Sequence, residues 1–127
     1  MNMHTITIVP IMYRDADNWK DKGVIALVGQ ATEELRARLQ RTLHDGENYL
    51  PTQIGHDHLG TTHENWPDEQ VDHCWHELDV TEIEQIHGDP QQFGAAETFE
   101  EFVQRMEQAR RDGWDVATAC ETLGIEN

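Results

Sequence analysis

Two β-rich blocks, residues 5–13 and 23–29, are separated by only nine residues, and that spacing restricts the fold more than any other feature of the chain. A crossover between parallel neighbours takes a dozen residues or more, so strands joined this closely pair antiparallel. The first block alternates and is rich in β-branched side chains, with Pro10 marking an edge position or a bulge. The second, Gly-Val-Ile-Ala-Leu-Val-Gly, is a continuous apolar run suited to a central strand. Between them Asp15, Asp17 and Asn18 can close Asx turns.

Helical periodicity follows. Leu35, Leu39 and Leu43 recur every fourth residue within 31–44, with Glu33 and Glu34 at the start and Arg36, Arg38 and Arg41 later, matching the helix dipole. Thr98 and Glu101 have capping-box spacing, which predicts a helix over 98–112 that buries Phe99, Phe102, Val103, Met106 and Ala109. Asp115 can cap a last short helix with Val116, Ala119, Cys120 and Leu123 inward. Residues 73–83 alternate again and predict a strand, 48–54 are a candidate for another extended segment, and 87–92 read as a turn-rich linker. The expectation is an α+β fold. A small antiparallel sheet from 4–13, 23–29 and 73–83 is packed by helices 31–44 and 98–112, and a short C-terminal helix closes a single domain, 1–127.

No apolar run reaches the roughly 20 residues a membrane helix needs. The N-terminal residues show no leader pattern, so a cytoplasmic protein is expected. Cys74 and Cys120 are too few for a disulfide framework and read as thiols.

Charge is distributed unevenly. Residues 42–104 hold fifteen carboxylates, seven of the eight histidines and neither lysine nor arginine. This stretch carries −15 of the net −16. Its carboxylates Asp57, Glu64, Asp68, Glu69, Asp72, Glu77, Asp79, Glu82 and Glu84 are the candidate interaction face, suited to a basic protein surface and able to imitate the phosphates of a nucleic acid. Direct nucleic-acid binding and anionic membrane contact are excluded by the same balance, because the arginine clusters lie on predicted helices among glutamates.

Three segments, Tyr13-Arg14-Asp15-Ala16-Asp17-Asn18-Trp19-Lys20, Leu50-Pro51-Thr52-Gln53-Ile54-Gly55 and Asp72-His73-Cys74-Trp75-His76-Glu77-Leu78, together resemble a small uncharacterised domain of bacteria and phages. The resemblance covers roughly residues 5–80. It implies that 13–20 and 72–78 are signature segments and that the chain has a phage or mobile-element origin, and it carries no catalytic role.

The competing expectation is a metal protein. His56, His58, His73 and His76 supply imidazoles for zinc or another divalent metal, with Asp57, Asp72 and Glu77 as further ligands or orienting acceptors, either structurally or in a metal-dependent hydrolase. The order His73-x-x-His76-Glu77 is not that of a helical zinc protease, and on a strand positions 73 and 76 point to opposite faces. Asp15-x-Asp17-Asn18 fails as a calcium loop where Trp19 and Lys20 stand, so Asp15, Asp17 and Asn18 read as Asx turns, or Arg14, Asp15 and Asp17 as an ion-pair network. No catalytic nucleophile is signalled, and no cofactor motif is present. The preferred reading is therefore a non-enzymatic acidic protein that docks on or masks a basic protein surface.

Overall fold

β1 (His4–Arg14) and β2 (Lys20–Val28) form the expected hairpin, paired from Ile6 opposite Val28 to Arg14 opposite Lys20 in this computed structural model, which describes residues 3–126. Met1, Asn2 and Asn127, the ends of the expected domain, lie outside the described residues. The ladder takes in Lys20, Asp21 and Lys22, so the connection shrinks to residues 15–19.

The other side of β1 receives two strands in succession. β4 (His76–Leu78) lies antiparallel beside Ile11 and Met12, and β5 (Glu84–Gly88) runs antiparallel from Ile8 to His4. β3 (Asn48–Tyr49) pairs beyond β4. The result is a five-stranded antiparallel sheet in an α+β fold, with β1 central.

Pro10 therefore sits in a central strand rather than at an edge. Its place is the interruption between the β4 and β5 ladders, where β1 has a partner only in β2, opposite Val24. A missing N–H costs no ladder bond at such a gap.

The gap also explains why residues 73–83 are not one strand. The Asp79 carboxylate accepts from the Thr81 N–H at 2.9 Å and its hydroxyl at 2.6 Å, capping a 3-10 turn over Val80–Glu82 that ends β4. The chain re-enters the sheet as β5, which takes in His87 and Gly88, the start of the expected linker. Likewise only Asn48 and Tyr49 of the 48–54 segment pair, because Pro51 opens a 3-10 turn over Pro51–Ile54.

α1 (Glu33–Thr42) and α2 (Phe99–Asp112) cover the face of the sheet that carries Val9, Leu27 and Leu78. Leu39, Leu43, Phe99, Phe102, Val103 and Met106 fill this core, each buried. Burial of a side chain this size contributes about 1.5–3 kcal/mol. The capping box of Thr98 and Glu101 is complete, and Asp115 caps α3 (Val116–Leu123). Arg38 joins the two long helices through both Glu107 oxygens at 3.1 and 2.7 Å.

A second, smaller cluster holds Leu50, Cys74, Ala119, Cys120 and Ile125 beneath Trp66 and Trp75, and Trp114 packs against both clusters. No helix among the described residues is long and apolar enough to cross a membrane.

Candidate docking site at the junction of two loops

Tyr13, the last inward-facing residue of β1, is completely buried and stands where two loops meet. Its hydroxyl donates to Asp72 Oδ1 at 2.6 Å and accepts the His73 N–H at 3.2 Å. His73 takes the Trp75 N–H on Nδ1, so its Nε2–H donates to the Arg14 carbonyl at 2.6 Å. Arg14 in turn pairs with Glu77 at 3.1 Å and donates to Asn18 Oδ1 at 2.9 Å. The Ala16 N–H donates to the Val71 carbonyl at 2.9 Å. Residues 13–20 and 72–78, the segments singled out by resemblance, are thus joined directly. Arg14 bonds Glu77 and Asn18, not Asp15 or Asp17, which corrects the expected ion-pair network.

The loop after β1 is shaped by Asp15, whose carboxylate accepts the N–H groups of Asp17 and Trp19, both at 2.9 Å. Asn18 adopts φ +66°, a left-handed conformation that asparagine tolerates. This Asx turn presents Trp19 outward at 63 % exposure, the most exposed large apolar side chain among the described residues. Across from it, Asp72 Oδ2 accepts the Asp68 N–H at 2.8 Å, and Asp68 Oδ1 accepts from Gln70, closing the opposite loop on itself.

Between these loops lies a hollow of about 330 Å³ lined by Asp15, Trp19, His63, Glu64, Asn65, Asp68, Val71 and Asp72. Four acidic residues and a tryptophan line it, and no lysine or arginine does. His63 Nε2 lies 2.6 Å from Asp21 Oδ2, outside hydrogen-bond angles, and braces the loop against β2.

Beneath the junction the histidines gather. His58 and His76 are both buried with ring centroids 4.6 Å apart, and Tyr13 stands 4.4 Å from His58 and 5.0 Å from His73. His76 Nε2 accepts the Leu59 N–H at 3.1 Å, so its Nδ1–H faces the Tyr49 hydroxyl at 3.2 Å. His58 Nδ1 accepts the Gly60 N–H at 3.0 Å. The His73 backbone favours protonation of His58, yet no acceptor meets hydrogen-bond geometry with its buried Nε2. Burial, and then neighbouring histidines, hold His58 down to about 4 and His76 to about 3. Burial and the Asp72 carboxylate push Tyr13 far above the ordinary phenol range.

The metal expectation is met only in part. His58, His73 and His76 do converge, because residue 73 lies outside β4 and the opposite-face argument does not apply to it. His56 turns away to stack on Phe102 at 6.0 Å, where burial and then the Arg105 cation hold its pKa down. Ring nitrogens of His58, His73 and His76 are occupied by backbone N–H groups. No group of three histidine, cysteine or carboxylate side chains among the described residues is placed to hold a metal ion.

The nine expected interaction residues do not line one surface. Glu64, Asp68 and Asp72 line the hollow, with Glu69 in the same loop. Glu77, Asp79 and Glu82 line a separate groove of about 750 Å³ over Pro10, Met12 and Val24, together with Arg14, Lys20 and Lys22. Glu84 stands on β5 and Asp57 in the 55–58 loop, both exposed. Glu77 is the one of the nine that is paired with an arginine.

Trp19 is legible in the sequence as part of the 13–20 signature segment and as the residue that breaks a calcium-loop pattern. A tryptophan amid five polar neighbours, Asp17, Asn18, Lys20, Asp21 and Lys22, is the available signal. No family model, curated protein or solved structure matches the chain.

Proposed function

We propose that this protein is a non-enzymatic docking module whose anionic hollow receives an arginine or lysine side chain from a basic protein surface. The observation that supports this reading is the exposed Trp19 ring beside Asp15, Glu64, Asp68 and Asp72, with no lysine or arginine lining the same hollow. An arginine guanidinium can lie over an indole face while carboxylates take its N–H groups, a combination stronger than either contact alone. The remaining acidity of residues 42–104 adds long-range attraction, which speeds encounter and is screened by salt. Basic residues are not drawn to the 750 Å³ groove in the same way, because Arg14, Lys20 and Lys22 already stand there.

Titration with an arginine-rich peptide at a series of salt concentrations tests the reading. Saturable binding that weakens steadily with salt is expected, together with a change in Trp19 fluorescence that is lost in Trp19→Phe. Binding that is absent at low salt, or indifferent to salt, contradicts it.

A further inference from the structure

We propose that Cys74 and Cys120 form an intramolecular disulfide when the protein meets a low-molecular-weight disulfide oxidant, fastening α3 to the segment that carries Asp72, His73 and His76. The two sulfurs lie 3.8 Å apart, face each other inside the smaller core cluster, and are the only cysteines in the chain, so no alternative intramolecular pairing exists. A disulfide needs them at about 2 Å. The eight-residue α3 places Ala119 and Cys120 in this cluster and accepts the Trp66 indole N–H at the Leu123 carbonyl, and a small shift of one short helix closes the distance.

The two thiols differ in access. Cys74 is 1 % exposed and burial, then its neighbour Cys120, pushes its pKa well up, whereas Cys120 is 6 % exposed. Cys120, the more exposed of the two, is the attacking residue. Its thiolate displaces one thiolate from the oxidant and forms a mixed disulfide. Cys74, losing its proton, then attacks the Cys120 sulfur and expels the second small thiolate. Both cysteines are oxidised, the oxidant is reduced to two thiols, and the two protons released by the protein go to those thiols.

The bond closes a loop between residues 46 apart, which restricts the unfolded chain and fixes the C-terminal helix. The full chain is incubated with oxidised glutathione and read by thiol titration, intact mass and non-reducing peptide mapping. The expected result is loss of both thiols, a mass lower by two hydrogens, one Cys74–Cys120 linked peptide, and a higher melting temperature that dithiothreitol reverses. Cys74→Ala is expected to stop at a mixed disulfide on Cys120 and to show no such rise. Glutathione retained on both cysteines of the wild type, a disulfide between two chains, or oxidation only in denaturant overturns the proposal. The wild-type mass decides it even where the alanine variant does not fold.

Discussion

Tyr13 donates a 2.6 Å hydrogen bond to Asp72 across 59 residues of sequence, and this contact ties the end of β1 to the far wall of the anionic hollow. The same hydroxyl accepts the His73 N–H, so one buried group organises both loops.

Removing it leaves a half-buried carboxylate and a backbone N–H without their partner. Tyr13→Phe is expected to destabilise the fold by about 1–3 kcal/mol in urea denaturation, since the phenyl ring keeps its packing while both bonds are lost. A change of less than about 0.5 kcal/mol, the range of an ordinary surface substitution, contradicts the organising role.

Acidification is expected to weaken the fold through His58 and His76. Their folded pKa values, about 4 and about 3, lie below the ordinary histidine value near 6.5. Between those limits the unfolded chain binds more protons, so stability is full above about pH 6.5 and falls as pH drops toward the folded values. Each histidine can remove up to about 1.4 kcal/mol per unit of pH across that window. Melting temperatures between pH 7 and 5 should fall steeply in the wild type and less steeply in His76→Gln. Parallel curves for the two proteins remove His76 from the explanation.

Two glycines separate rigid from yielding surroundings. A Cβ at Gly60 would meet the Trp66 ring at 2.7 Å and the Tyr13 ring at 2.9 Å, and Tyr13 is locked by its hydrogen bonds. Gly60→Ala is expected to cost about 1–3 kcal/mol by overpacking. A Cβ at Gly88 would meet only Phe93, whose side chain is 42 % exposed and free to swing aside. Gly88→Ala should therefore cost distinctly less in the same denaturation assay; equal costs contradict the account of the junction as rigid.

The hairpin, α1, α2 and α3 were legible in the sequence because each rests on local periodicity and capping: Leu35–Leu39–Leu43, the Thr98–Glu101 box and the Asp115 cap are all intact apart from shifts at the ends. β5 was not, because Glu84-Gln85-Ile86-His87 offers a single apolar residue and forms a strand through its distant partner, β1. The break at Asp79 was hidden for the opposite reason. Its alternation continues through the residue that ends the strand, and only the side chain's bond to Thr81 stops it. The site followed the same division. Carboxylates and histidines could be counted, but their sorting into a hollow, a groove and a buried cluster depends on which loop folds over Tyr13. That choice is made by long-range hydrogen bonds that no spacing records.

Isothermal titration of an arginine-rich peptide into the wild type, Trp19→Ala and Glu64→Lys/Asp68→Lys, with Glu121→Lys/Glu126→Lys as a charge-matched control, tests the docking claim most directly. The account predicts at least about a tenfold loss of affinity in both hollow variants, with the fold retained by circular dichroism and the control close to wild type. Equal weakening by the two charge-reversal pairs, with Trp19→Ala binding as the wild type does, would show a diffuse negative field and no docking site at the hollow.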